Sequence, residues 1–454
     1  MKSKVKVGSI YKVEIIDLNH RGQGVAKIEN FAVFINDAIP GDIGNIKIIT
    51  VKKNYGVGEF IDITKPSKWR IEAPCHVVDS CGGCQIQKID YDVQLDIKRK
   101  KVTDDMERIA KLEDIKIHET IGMEEPFRYR NKAQFPVQSG EDFVKIGFYK
   151  RGTHEIIDTN KCIIQHPITD KIIKVMREYM KNYKVQPYDE KNGTGIIRHI
   201  LTKTSFKTGD LMIVLITNGK KLPHKDELIK LILENVEGVK SIIQNINTRK
   251  SNVILGKETI TLWGEDKIVD YIEDIKFNIS SLSFFQVNPI QTEKLYNKAL
   301  EYADLKGDET VFDLYCGIGS ISLFLAKKSK KVYGIEVVKS AIEDAKNNAQ
   351  INGIDNAEFY LGKAEEVFPK IYKQGIRADV VVVDPPRKGC DEKVLDTIIK
   401  MDPKKVVYVS CNPSTLARDL KYLDENGYKT REIQPVDMFP HTTHVESVTL
   451  LTRR

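Results

Sequence analysis

The chain has 454 residues, enough for two or three domains that each bury a core, and 30% of its residues are charged. No apolar run approaches the roughly 20 residues of a membrane-spanning helix, and the opening MKSKVKVGSIYKVEI lacks the apolar block of a secretory signal. Composition therefore excludes an integral membrane protein and predicts a cytoplasmic one. The net charge of +7 permits a polyanionic partner without requiring it, and KVKVGSIYKV, IKRKKV and KKSKK are local basic runs that a solvated surface would explain equally well.

Residues 1–63 read as short β-segments between glycine turns: YKVEIIDL, GQGVAKI, FAVFI, GDIGNIKIITV and GVGEFIDI. Turn signals every 8 to 12 residues or so predict a small β-barrel. KPSKWRIEAP breaks the pattern as a linker.

Residues 75–280 mix strands such as GDLMIVLITN with helices such as HKDELIKLILENV, a central α+β domain. Its start carries CHVVDSCGGCQ, which sets Cys75, Cys81 and Cys84 in a C-x5-C-x2-C spacing with glycines that let backbone wrap an inorganic centre. An odd total of seven cysteines without an export signal argues against a disulfide framework. A fourth ligand would come from Cys162 in TNKCIIQH. Four thiolates suit tetrahedral zinc or an iron-sulfur cluster, and spacing does not separate the two.

From residue 281 to 454 fully apolar strands alternate with amphipathic helices: TVFDLYCGIG, KVYGIEV, AEFYLGKAEE, ADVVVVDPP, KKVVYVSCNP and SVTLLTRR. This predicts a parallel sheet covered on both faces, a Rossmann-like α/β domain. DLYCGIGSISLFLA is a strand entering a helix through Gly317 and Gly319, with Ser322 where a dinucleotide fingerprint has its third small residue. Glu336 ends the next strand, placed to accept hydrogen bonds from ribose hydroxyls.

The carboxyl ends of successive strands carry Tyr315, Glu336, Asp384 and Cys411. Two carboxylates, an aromatic and a thiol suit a cationic nucleoside such as S-adenosylmethionine better than a pyrophosphate, and nothing builds the second half of a dinucleotide site. In VVVDPPRKG, Arg387 stands where amino-group methyltransferases put a stacking aromatic, which turns attention from exocyclic amines to the thiol one strand later.

Cys411, in YVSCNPSTLARDL, is read either as a buried thiol or as a nucleophile whose pKa the first-turn amides of the next helix would lower. Glu446, beside two histidines in DMFPHTTHVESVTLL, is the candidate base. The pair suits uracil C5 methylation, in which a thiolate adds to C6, C5 becomes nucleophilic, and a carboxylate later removes the C5 proton. Cys316 and Cys390 are read as packing residues.

The motifs FFQVNPIQTEKLY, DLYCGIGSISL, DPPRKGC, SCNPSTLARDL and DMFPHTTHVE together resemble those of bacterial 23S rRNA (uracil-5)-methyltransferases of the RNA m5U methyltransferase family, over essentially the whole chain. The resemblance implies a class I methyltransferase domain, an N-terminal TRAM domain (an OB-like RNA-binding barrel) and 23S ribosomal RNA as partner, in a monomer. It further implies that Gln286, Tyr315, Gly317, Glu336 and Asp384 bind S-adenosylmethionine, that Cys411 is the nucleophile and Glu446 the proton acceptor, and that Cys75, Cys81, Cys84 and Cys162 hold a [4Fe-4S] cluster. Two other readings stand beside it: an RNA-binding protein without catalysis, and a C5 methyltransferase acting on cytosine or on another RNA.

Overall fold

A computed structural model describes residues 5–454. The chain divides into two compact units, one comprising residues up to Lys98 with Tyr149–Glu155 and Phe439–His444, the other Arg99–Phe148, Ile156–Met438 and Val445–Arg454. Among the described residues no helix is long and apolar enough to cross a membrane.

The first unit contains a six-stranded barrel: β1 (Ile10–Glu14), β2 (Asp17–Leu18), β3 (Gly24–Ile28), β4 (Phe31–Ile35), β5 (Ile43–Val51) and β6 (Tyr55–Lys65), hydrogen-bonded in the order β1-β5-β6-β4-β3-β2. Alternation turns Val13, Ala26, Val33, Ile35, Ile46 and Ile48 into a closed apolar core. The segment read as a linker is not free. Buried Asp42 accepts from the Ser67 amide (2.9 Å) and pairs with Arg70, while the Ile71 amide donates to Lys88 O (2.9 Å), because a carboxylate sealed in the barrel end needs these donors.

Helix α1 (Tyr91–Asp105) leads into the second unit. Here β7 (Lys116–Ile117), β8 (Lys132–Gly140), β9 (Phe143–Tyr149), β10 (Ile156–Asp158), α2 (Ile168–Asn182), β11 (Ile197–Thr204), β12 (Leu211–Thr217), α3 (Lys225–Asn235), β13 (Val239–Ile246) and β14 (Glu258–Gly264) follow. All but β7 form a seven-stranded sheet ordered β10-β9-β8-β11-β12-β13-β14. Its inner face packs Phe135, Ile200, Ile213 and Leu215 with Ile173, Met176 and Tyr179 of α2 and Leu228 and Ile232 of α3. The hairpin β15 (Lys267–Ile272) and β16 (Ile275–Ser280) comes next.

The remaining elements are α4 (Pro289–Ala303), β17 (Thr310–Leu314), α5 (Ser320–Ala326), β18 (Lys331–Glu336), α6 (Lys339–Ile351), β19 (Ala357–Leu361), α7 (Ala364–Lys373), β20 (Val380–Val383), α8 (Glu392–Met401), β21 (Lys405–Ser410), α9 (Pro413–Glu425), β22 (Tyr428–Val436) and β23 (Glu446–Arg453). Their sheet runs β19-β18-β17-β20-β21-β23-β22-β7. The strands from β19 to β21 are parallel and β23 is antiparallel to both its neighbours. This is a Rossmann-like sheet. One stretch departs from the expected domain limits: β7 pairs with β22, and Val102, Met106 and Ala110 join the core of this sheet, because their apolar faces are buried here.

Candidate active site

Strand order reverses between β17 and β20, so their carboxyl ends open the crevice where such folds bind ligands. Tyr315 follows β17 with φ of 69°, a left-handed conformation that costs a bulky residue roughly 1–3 kcal/mol, and its amide donates to Ile335 O (2.9 Å). Gly317 comes next with φ of 56°, and a Cβ built there would meet nothing within 4 Å. The turn therefore presents bare backbone to open space. Glu336 Oε2 accepts from the Gly317 amide (3.2 Å) and Oε1 from those of Val337 and Val338 (2.8 Å each), so the carboxylate is fixed at the end of β18 beside the glycine turn. Ser322 is buried and donates to Asp313, which explains a hydroxyl in place of a third glycine.

Gln286 lies in the segment between β16 and α4. Asn131, at the start of β8, holds it by donating from Nδ2 to Gln286 O (2.9 Å) and from its amide to Val287 O (2.9 Å). Asn288 caps α4 and donates from Nδ2 to Met438 O (3.1 Å), while Gln291 Nε2 reaches Asp437 O (3.1 Å).

Asp384 follows β20 and Cys411 follows β21. The antiparallel register of β21 with β23 pairs Ser410 with Ser447, which sets Glu446 opposite Cys411 at the same sheet end. The electrostatics record their nearness. Burial first, then the charges of Glu446 and Asp384, push the Cys411 thiol up to about 11, with Arg387 opposing. Burial likewise raises Glu446 to about 8, Asp384 adding and Arg387 opposing, and raises Asp384 to about 7. Asp384 and Arg387 thus act on both the thiol and the Glu446 carboxyl, in opposite directions.

This corrects the expectation that helix amides lower the thiol pKa. The amides at the start of α9 are already used: Asn412 N donates to Ser410 Oγ (3.1 Å), Pro413 has none, and Ser414 N donates to Asn412 Oδ1 (3.2 Å). The two histidines read with Glu446 fall in the first unit, where His441 O accepts from the amides of Gln85 (3.0 Å) and Ile86 (3.1 Å).

Residues 90–454 match the model of the tRNA (uracil-5-)-methyltransferase family, and residues 4–61 match that of the TRAM domain. The chain belongs to this methyltransferase family. It is 54% identical over 448 residues to an uncharacterized RNA methyltransferase of Clostridium tetani, covering 99% of this chain and 97% of the relative. An uncharacterized RNA methyltransferase of Halalkalibacterium halodurans is 52% identical over 450 residues, covering 99% and 98%. Among solved structures, the Pyrococcus abyssi tRNA (uracil-54, C5)-methyltransferase in complex with S-adenosyl-L-homocysteine superposes with a TM-score of 0.78 at 29% identity, covering 97% of this chain and 99% of that one.

Family membership gives the missed residues their context. Sequence reading passed over Asn131 and Asn412, whose signal was only a polar residue at an element boundary, and gave Arg387 no place in the site. Cys390 is buried, and its amide donates to Asp419 Oδ2 (2.8 Å).

The cysteines are not assembled as expected. Among the described residues no group of three or more His, Cys, Asp or Glu side chains is gathered closely enough to hold a metal ion. Cys75, Cys81 and Cys84 belong to the first unit and Cys162 to the second. The loop nonetheless has donor character: the Gly83 amide donates to Cys81 Sγ (3.4 Å), and the Cys81 thiol, raised by burial, is raised again by nearby Cys75.

Proposed function

We propose that this protein methylates C5 of a uridine in 23S ribosomal RNA, using S-adenosylmethionine and a covalent bond between Cys411 and C6. The observation that carries the reading is the β21–β23 register, which faces a thiol with a carboxyl at the crevice. An RNA-binding protein without catalysis has no use for that pairing.

The donor fits the residues present. Glu336 offers acceptors for ribose hydroxyls, the bare turn at Gly317 leaves room for a ligand, and half-buried Asp384 follows an all-valine strand that supplies no cation. When bound, S-adenosylmethionine supplies a sulfonium charge and a transferable methyl group. A positive charge in this crevice favours the ionised forms of Asp384 and Glu446.

The Cys411 thiolate bonds to C6, and the C5–C6 π pair moves to make an enolate with charge at O4. C5 then uses that pair to bond the methyl carbon, whose bond to the sulfonium sulfur breaks and leaves its pair on that sulfur as a neutral thioether. The Glu446 carboxylate takes the C5 proton, the C–H pair restores the C5–C6 double bond, and the C6–S bond breaks to return the thiolate. Arg387 favours both anions of the cycle.

The [4Fe-4S] cluster belongs to the same proposal. Cys75, Cys81, Cys84 and Cys162 would hold it, supported by the glycine turn whose amide already points at Cys81 Sγ. No step of the transfer uses it.

The choice of 23S rRNA rests on the motif resemblance, whereas the family model and the solved Pyrococcus abyssi structure are named for tRNA. The deciding experiment offers the purified protein both 23S rRNA and tRNA transcripts with methyl-labelled donor and maps 5-methyluridine by mass spectrometry. Label in rRNA is expected. Label confined to tRNA overturns the substrate, and label on cytosine overturns the base.

A further inference from the structure

The loop that carries Asp384 and Arg387 has to be held without help from regular structure, since it leaves β20 through two prolines and regains a helix only at α8. Its anchor is a single buried carboxylate. Asp419, in the second turn of α9 and 1% exposed, accepts from the Cys390 amide (2.8 Å) and the Tyr408 hydroxyl (2.6 Å) through Oδ2, and from Arg418 Nε (2.8 Å) through Oδ1. Arg418 Nη2 then donates to Lys388 O (3.0 Å) and Cys390 O (3.3 Å). Asn412 Nδ2 and Thr415 Oγ1 both donate to Arg387 O (3.0 and 3.2 Å).

The fit is close. Gly389 has φ of 80°, and a Cβ there would stand 2.5 Å from Arg418 Nη2 and 2.6 Å from Asp419 Oδ2. On its far side the anchor reaches the strand that ends at the site, because the hydroxyl it takes from Tyr408 belongs to β21, three residues before Cys411. Cys411 itself begins the turn into α9. One helix face therefore fixes the loop and the nucleophile to a common frame.

We infer that Asp419, with Arg418, is the positioning residue that sets Arg387 beside Cys411 and Glu446. Its charge is spent on the loop rather than on substrate, so it acts through the residues it holds. The inference rests on Cys411 as nucleophile for its meaning in catalysis, although the contacts do not depend on that.

Glu446 stands opposite Cys411 across the β21–β23 register, Asp384 follows the neighbouring strand β20, and Arg387 is tied by its carbonyl to Asn412, the residue after Cys411. Asp384 stays with the sheet, its amide donating to Leu314 O (3.2 Å), whereas Arg387 is exposed and held only through the backbone, its own carbonyl by Asn412 and Thr415 and the residues after it by Asp419 and Arg418. Releasing Lys388 and Cys390 frees the chain on one side of Arg387, so the cation shifts while both carboxyls stay and thiolate formation moves to higher pH.

The test measures iodoacetamide labelling of the Cys411 peptide against pH by mass spectrometry, alongside turnover, in Asp419→Asn and Arg418→Met. Asparagine keeps size and one acceptor but not the charge, and Arg418, with a side chain 54% exposed, can be replaced without opening a cavity. Both variants are expected to raise the labelling midpoint and to lower kcat about 100-fold, the scale of a misplacement of about 1 Å, with KM for RNA little changed. An unshifted labelling curve in a folded variant overturns the inference, whether or not activity falls. If Asp419→Asn does not fold, as read by its melting curve, Arg418→Met decides by the same measure. Labelling needs neither RNA nor turnover, so a wrong reading of the target base would show in the product analysis and not here.

Discussion

Ser410 on β21 pairs with Ser447 on β23, and this one register places Cys411 opposite Glu446. A one-residue slip would turn both side chains away from each other, since strand neighbours alternate faces. The sheet core around them, Val406 and Tyr408 with Val448 and Leu451, is fully buried and holds the register.

Cys411→Ala is therefore expected to abolish methylation without lowering the melting temperature appreciably, the side chain being only half-buried. Glu446→Gln keeps addition and methyl transfer but cannot take the C5 proton, which costs on the order of 10²–10⁴ in turnover. It should accumulate a methylated RNA–protein adduct on denaturing gels, and Cys411→Ala should remove that adduct. Normal turnover in Cys411→Ala would end the covalent mechanism.

Three carboxyls, those of buried Asp313 and Glu446 and of half-buried Asp384, set a pH dependence of stability. Asp313 and Asp384 are raised to about 7 and Glu446 to about 8, each chiefly by burial. The folded state binds their protons more tightly than the unfolded chain. The stability this contributes is whole below the ordinary carboxylate range and is lost as pH rises through about 7 to 8. The ligand-free protein should melt several degrees lower at pH 8.5 than at pH 5.5, and Asp384→Asn should narrow that gap. A melting temperature that climbs over this range in the parent would refute the assignment.

The glycine turn makes a sharper distinction between fold and site. A Cβ at Gly317 meets no protein atom, so Gly317→Ala should fold with a loss of about 1 kcal/mol from the left-handed φ. The methyl group enters the space left for ligand. KM for S-adenosylmethionine should rise well over tenfold while RNA affinity holds, and equal KM values would place the cofactor elsewhere.

What the sequence made legible follows from local rules. Apolar runs ending in Tyr315, Glu336, Asp384 and Cys411 marked the strand ends, because period and punctuation are written in adjacent residues. Asp419 was not legible, since its three partners lie 1, 11 and 29 positions away and only the fold gathers them. The direction of the Cys411 pKa failed for a related reason: the competing acceptors, Ser410 Oγ and Asn412 Oδ1, had claimed the helix amides. The pairing of β7 with β22 joins residues more than 300 positions apart, which no local pattern announces.

Metal content tests the cysteine loop independently of activity. Protein purified without oxygen should be brown, with about four iron and four sulfide per chain. Cys162→Ser should bleach it as fully as Cys81→Ser, because each removes one thiolate of four. One zinc with no sulfide would replace the cluster by a structural zinc site.

The barrel should carry affinity rather than chemistry. Lys27, Lys47, Lys52 and Lys53 are exposed on it beside exposed Tyr55, a basic and aromatic surface of the kind that tracks single-stranded nucleic acid. Removing residues 1–65 cuts after β6 and leaves Ser67 and Arg70 without Asp42, so the fair comparison is a full-length chain with these four lysines changed to Gln. That variant should bind RNA more weakly and with a shallower dependence on salt, because each lost phosphate contact releases about one counterion fewer. Binding of S-adenosylmethionine should be unaltered, since Gln286, Gly317, Glu336 and Asp384 all belong to the second unit. An unchanged salt slope would assign RNA binding to another surface and leave the barrel a different task.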